Sequence, residues 1–243
     1  MTLCAFALAA ALAPKGHSHN DYYRERPLLD AYAADMVSVE ADVFLVDGEL
    51  LVGHDRDELT PERTLEALYL GPLRPLYEEV ETESLILLVD IKDDGEASWR
   101  ALRELLAEEY RDLLATDEPG PVRVVISGNR PIDLILEDEE HLTSLDGRIE
   151  DLERYRHLPY YQMPLVSASW WSQFQWNGMG VFPVEEREKL GSLVEQVQGQ
   201  GRKLRFWAHP DVPTVWDELY GANVDLINTD RPAALGEFLS DRD

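Results

Sequence analysis

The stretch "MVSVEADVFLVDGELLVGHD", residues 36–55, decides how the rest of the chain is read. Its first half alternates in the manner of a β-strand, where successive side chains point to opposite faces. Val37, Val39, Ala41 and Val43 share one face, and Ser38, Glu40 and Asp42 share the other. An apolar face suits a layer of helices, so the carboxylates point into the interior of a barrel. Two acids at i and i+2 on a buried face are costly, because desolvation and mutual repulsion disfavour both charges. A hard divalent cation with oxygen ligands resolves that cost. The plainer alternative is an edge strand whose polar face is solvated. The second half of the stretch passes through Asp47-Gly48 into a short apolar run ending at His54, which predicts a β-hairpin returning a histidine towards the carboxylates.

Outward from this stretch, strand-like and helix-like segments alternate. "SLILLVDIK" (84–92) and "PVRVVISG" (121–128) are strands of buried type, as are "MPLVSAS" (163–169), "KLRFWAH" (203–209) and "VDLINT" (224–229). A first strand ends at His17-Ser18-His19, and one more is expected within 145–158. Between them lie helical patterns: 96–115, a short helix from Pro131, 183–198, 212–221 and 231–239. "LTPERTLEALY" (59–69) predicts a helix capped by Thr60 with Pro61 at its first position. The count favours one domain, 15–243, folded as a TIM-like (β/α)8 barrel with a small β-hairpin after strand 2, over an open doubly wound sheet.

Composition narrows the partners. The 243 residues carry a formal net charge of −26, with 44% hydrophobic residues, enough for a large core. Lys15, Lys92, Lys189 and Lys203 are the only lysines among 22 basic residues. A field this negative repels phosphate polymers and anionic membranes and attracts divalent cations, which excludes nucleic acid as a macromolecular partner. The only cysteine, Cys4, leaves no intrachain disulfide and no catalytic role for it. Residues 1–14 are apolar and end near Ala11-Leu12-Ala13, which reads as a truncated signal segment. That predicts a secreted, periplasmic or cell-envelope protein, with a cytoplasmic one as the alternative. No stretch reaches the length of a membrane span, and a monomer is expected.

Strand 84–92 repeats the first pattern, placing Asp90 and Lys92 together at its C-terminal end, where barrel active sites lie. Asp90 supplies a third carboxylate and Lys92 a cation for an anionic substrate; a simple side-by-side ion pair is the alternative. These motifs carry a resemblance. "HN", "VEADVFLVDGELLVGHD", "LVDIK" and "INTDRP" resemble the glycerophosphodiester phosphodiesterase and phosphatidylinositol phospholipase C-like superfamily. The "HSHNDY…R…PL" opening resembles the branch of fungal "altered inheritance of mitochondria" phosphodiesterase-like proteins and their bacterial relatives. The resemblance runs through most of the chain in order and is most specific in 17–55 and 88–92.

The resemblance implies a phosphoric diester hydrolase acting on a small-molecule or lipid phosphodiester with one Mg²⁺ or Ca²⁺. It implies His19 and His54 as the acid–base pair, Glu40, Asp42 and Asp90 as metal ligands, and Lys92 facing phosphate. Histidine suits proton transfer near neutrality. Asn20 stands where glycerophosphodiesterases usually carry arginine, and their following Pro-Glu-Asn-Thr run is missing. Asn20 offers phosphate a hydrogen bond without charge. The disulfide of the spider-toxin branch cannot form. Arg205 and Trp207 share one face of their strand and are candidates for lining the substrate pocket, with lining of the barrel floor as the equal alternative.

Two rivals remain. His17-x-His19 resembles the opening metal clamp of amidohydrolase and polymerase-and-histidinol-phosphatase-like barrels, with His209, His54 and Asp230 as further ligands. That leaves the Glu40/Asp42 pair unexplained, and His17 otherwise belongs one pleat deeper, on the barrel floor. The other rival is a barrel that binds a phospholipid without turning it over. "SASWWSQFQW" (167–176) reads either as core packing or as a rim gripping an apolar or choline-like group. Ser127 ends its strand without a partner base and reads as structural or substrate-contacting.

Overall fold

The computed structural model of the protein describes residues 15–77 and 85–242, so the signal segment expected in 1–14 lies outside the described residues. Among the described residues nine strands form one sheet: β1 (Lys15–Ser18), β2 (Ser38–Val46), β3 (Glu49–Val52), β4 (Leu85–Ile91), β5 (Val122–Gly128), β6 (Ser144–Gly147), β7 (Leu165–Ser169), β8 (Lys203–Trp207) and β9 (Leu226–Thr229). Every neighbouring pair is parallel except β2–β3, and β1 pairs with both β9 and β2, so the sheet closes on itself. Helices follow the strands, the longest being Gly95–Leu105 and Val184–Gln198. This is the expected TIM-like barrel.

The barrel has two apolar regions separated by the sheet. Outside, Val39, Ala41 and Val43 of β2 join the large core between strands and helices. Inside, Ile86, Leu88, Val125, Leu165 and Leu226 form a compact floor. Parallel strands buried on both faces read as such runs. Asp42 and Asp90 stand above this floor, towards the C-terminal ends of β2 and β4, while the buried Arg123 of β5 lies in register with Ile86 of the floor. Among the described residues no helix is long and apolar enough to cross a membrane.

The hairpin forms as the sequence requires. Asp47 and Gly48 both take positive φ (51° and 91°), the two-residue turn whose twist matches its flanking strands. Register pairs Val43 with Val52, and the Gly53 N–H donates to the Asp42 carbonyl (3.2 Å), so His54 arrives beside the Asp42 side chain. The following helix starts later than expected. Thr64 bridges Leu51, and the Val52 N–H donates to the Arg63 carbonyl (2.8 Å), holding 63–64 extended against the hairpin. Helical structure therefore begins at Glu66. Thr64, not Thr60, is the capping hydroxyl, accepting from the Ala67 N–H (3.0 Å).

Of the tryptophan cluster, Trp170 and Trp176 pack in the core while Trp171 is exposed.

Candidate active site

The loop after β1 carries the first group of polar side chains. Asp21 is fully buried and accepts from the Ser18 hydroxyl (2.7 Å) and the Leu28 N–H (2.5 Å), which locks the loop. Asn20 adopts the left-handed conformation (φ 46°, ψ 43°), which asparagine tolerates better than most residues. The buried Tyr22 hydroxyl lies 2.7 Å from Asn20 Oδ1 and 2.8 Å from Asp42 Oδ2. Its single hydrogen serves one of them at a time.

A polar layer rests on the apolar floor. Arg205 is 3% exposed and its Nη1 donates to Glu40 Oε2 (2.8 Å), His17 Nε2 (2.5 Å) and Asn228 Oδ1 (3.3 Å). Its Nε donates to the Ser167 hydroxyl (3.2 Å). Burial and the Arg205 charge push the His17 pKa down to about 4, so its imidazole is neutral and accepts from Arg205 through Nε2. The other nitrogen, Nδ1, then donates to the Ser38 hydroxyl at 2.7 Å. Both nitrogens of His17 are committed, which leaves none for the two-histidine clamp. Burial alone would raise the Glu40 pKa, but the Arg205 guanidinium beside it holds it well below the usual carboxylate range. Arg205 thus lies under the site rather than on its surface. Of the two readings of Arg205, pocket lining and barrel floor, its burial favours the floor: alternation gives its inward face and not its depth.

Above this layer sit the three acids. Asp42 Oδ2 accepts from Lys92 Nζ (2.9 Å), His54 Nδ1 (2.9 Å) and the Tyr22 hydroxyl. Asp42 Oδ1 is buried with no hydrogen-bond partner. Lys92 Nζ also reaches Asp90 Oδ1 (3.1 Å). Burial first, then repulsion from Glu40 and Asp42, raises the Asp90 pKa despite Lys92. One oxygen from each of Glu40, Asp42 and Asp90 lies within 4.8 Å of the others. An all-oxygen donor set containing an orphaned, buried carboxylate oxygen fits a hard divalent cation. It does not fit zinc's preference for nitrogen and sulfur.

The two histidines expected to transfer protons flank the acids. His19 Nδ1 donates to Asp230 Oδ1 (2.8 Å), and the Asp230 N–H is in turn held by Asp211 Oδ2 (3.0 Å). Burial lowers the His19 pKa, but the Asp230 hydrogen bond and the Glu40 charge outweigh it and the net shift is upward. His54 uses Nδ1 on Asp42 in the same way and is half exposed. In each ring the carboxylate fixes the Nδ1–H tautomer, so Nε2 is the atom offered to the mouth. His54 and Lys92 line an open pocket of about 830 Å³ with Phe44, Asp55, Arg56 and Asp57. A separate cleft of about 790 Å³ beside the last helix counts Arg24 and Asp230 among its lining residues. Trp207 stands at the mouth, 40% exposed. His209 is buried, its Nδ1 turned to the Pro210 carbonyl (3.0 Å).

Several contributors escape the sequence. Tyr22 and Asp211 lie in loops with no periodic pattern, and Asp230 is legible only as a strand-end acid. Ser127 donates to Asp146 Oδ2 (2.9 Å) and accepts from Arg148 Nη2 (3.2 Å), a buried polar group beside Asp90 in strand register.

The fold is the one seen in glycerophosphodiester phosphodiesterase barrels. The chain overlays the crystal structure of a glycerophosphodiester phosphodiesterase from Parabacteroides distasonis with a TM-score of 0.62 and 18% identity, covering 96% of this chain and 99% of that one. A second such enzyme, from Agrobacterium tumefaciens, gives 0.57 and 17%, covering 93% and 99%. Identities this low establish the fold alone. Residues 8–83 match the model of the AIM6-like phosphodiesterase domain. Altered inheritance of mitochondria protein 6 of Eremothecium gossypii is 31% identical over 266 residues, covering 91% of this chain and 68% of that protein. The homolog in Arthroderma benhamiae is 28% identical over 263 residues, covering 91% and 83%. The Lachancea thermotolerans protein is 28% identical and is covered over 64% of its length. The chain belongs to the Altered inheritance of mitochondria protein 6 family.

Proposed function

We propose that the protein hydrolyses phosphodiesters by acid–base catalysis between His19 and His54, with one divalent cation, Mg²⁺ or Ca²⁺, held by Glu40, Asp42 and Asp90. The observation that carries this reading is the pairing of two Nδ1-anchored histidines around a carboxylate cluster whose Asp42 Oδ1 lacks a partner. The cation would neutralise charge on the non-bridging phosphoryl oxygens. Lys92 adds a second positive charge there, and Asn20 offers a neutral hydrogen bond.

The raised pKa of His19 makes it the proton donor to the leaving alcohol oxygen. His54, through Nε2, takes the proton from the water that attacks phosphorus as the bond to the leaving alcohol oxygen breaks. Trp207 bounds the mouth where the alcohol portion lies. The sign of the His19 shift sets a pH signature. As the acid, His19 loses activity above its pKa, so the alkaline limb of kcat/KM lies above the ordinary imidazole value of about 6.5. Asp230→Asn removes the raising interaction and is expected to move that limb to lower pH. A shift confined to the acidic limb would instead make His19 the base.

Metal-stripped protein screened against alkyl and aryl phosphodiesters tests the whole assignment. Activity is expected to vanish with chelation and to return with Mg²⁺ or Ca²⁺. Stoichiometric zinc on purified protein, with activity restored only by zinc, would support the two-histidine clamp instead.

A further inference from the structure

The loop after β7 has a surface that the catalytic reading does not use. Residues 157–184 contain no Asp, Glu, Lys or Arg, in a chain that is 29% charged. The loop is not slack. Trp170 stacks near Phe174 (4.3 Å between ring centroids) and Trp176 near Phe182 (4.7 Å). Their indole N–H groups donate to the Trp176 and Met179 carbonyls, both at 2.8 Å, so the buried rings hold the backbone of the tip. Glu186, the second acid beyond the uncharged run, is turned inward and accepts from the Gln175 and Trp176 N–H groups.

On this platform the outer side chains are bare. Met179 is 74% exposed, Val181 84%, Val184 61% and Trp171 51%. Gly178 and Gly180, at φ 87° and 69°, bracket Met179 and turn the chain sharply, which pushes the tip outward. Thr214 donates to the Gly178 carbonyl (3.0 Å), and Val212 packs beneath Gly178, tying the tip to the loop after β8. That second loop adds half-exposed Val212 and Trp207. All parallel strands end on one face, and β8 lies next to β9, so the apolar tip stands beside His19 and Asp230 at the mouth.

We propose that this tip inserts into the surface of a net-neutral phospholipid bilayer and docks the barrel with its mouth towards the lipid headgroups. Charge selects the occupant. A body carrying −26 is repelled by an anionic bilayer, whereas an uncharged, apolar projection with indoles at its base suits a zwitterionic one. Large exposed apolar side chains gathered on a rigid tip mark a contact surface rather than the scattered exposure usual in soluble chains. The docking extends the proposed function, since a diester resident in the bilayer would reach the mouth without leaving the surface.

Flotation of the full chain with phosphatidylcholine vesicles at physiological ionic strength tests the docking without requiring turnover. The wild type is expected to float. Met179→Ser/Val181→Ser is expected to lower partitioning at least about tenfold, from the apolar area withdrawn. Trp171→Ser provides a second, independent loss. Phosphatidylserine in the vesicles is expected to weaken binding. Both variants leave the buried rings untouched, so unchanged melting midpoints and unchanged hydrolysis of a soluble diester are expected, which separates docking from the catalytic assignment. The proposal is overturned if the wild type stays in solution, if the variants float equally well, or if anionic lipid strengthens binding. A wild-type dimer that the tip variants dissociate also overturns it, because a second copy would then be the occupant.

Discussion

Hydrolysis of bis-p-nitrophenyl phosphate is expected to fall by about 10²- to 10⁴-fold in the His54→Ala variant, the usual contribution of a positioned general base. The fold should survive. His54 is half exposed, and Asp42 Oδ2 keeps Lys92 and Tyr22 as partners when the imidazole goes. A surface truncation of this kind changes stability by about 0.5 kcal/mol or less. The loss therefore reports chemistry and not unfolding. The leaving group separates the two histidines. A p-nitrophenolate departs without protonation, so His19→Ala is expected to cost far less on this substrate than His54→Ala. On an alkyl diester, whose alkoxide must be protonated, both variants should lose activity to a similar degree. The double variant should then be little worse than either single one, because two groups acting in one proton-transfer step are not additive. Wild-type rates for His54→Ala on both substrates would remove His54 from the mechanism. A reversed pattern, with His19→Ala worse on the aryl diester, would exchange the roles.

The parts of the site legible in the sequence are those carried by strand periodicity. Glu40, Asp42, Asp90 and Lys92 follow from a period of two plus the placement of barrel sites at strand ends, and all four meet at the mouth. His54 follows from a two-residue turn, which fixes the register within a few positions of Asp42. His17 and His19 share a strand face, yet one is spent on Ser38 and Arg205 while the other turns to Asp230. That division depends on closure of the barrel, which brings β9 against β1 across more than 200 positions of sequence. Alternation tells which face a side chain takes and nothing of its depth. Arg205 and Trp207 share the inward face, but one pleat separates a buried ion pair from the exposed rim. Tyr22 lies in a short turn whose shape is set by Asp21, so its reach to Asp42 has no local signature. The delayed helix start at Glu66 has the same cause: the Leu51–Thr64 bridge is a tertiary contact that overrides a sound local cap signal.

Arg205→Met, measured in chelator, is expected to destabilise the protein by about 3–5 kcal/mol, the cost of stranding one member of a buried ion pair. Glu40 is 4% exposed and Arg205 is 3% exposed, so water cannot replace the guanidinium. The same substitution removes the donors to His17 Nε2, Asn228 Oδ1 and the Ser167 hydroxyl. Methionine fills much of the arginine stem's volume, which confines the loss to charge and hydrogen bonding. For a chain of this length each kcal/mol moves the melting midpoint by roughly 2–4 °C, so a fall of about 10 °C is the readout. Adding Glu40→Gln removes the stranded carboxylate, and the Arg205→Met/Glu40→Gln protein is expected to be more stable than Arg205→Met alone. That positive coupling distinguishes the ion pair from loss of packing, which the second substitution would leave or worsen. A single variant within about 1 kcal/mol of wild type would mean that Glu40 takes up a proton at little cost. The layer would then be a tolerated polar core and not the support that keeps a metal-ligand carboxylate ionised.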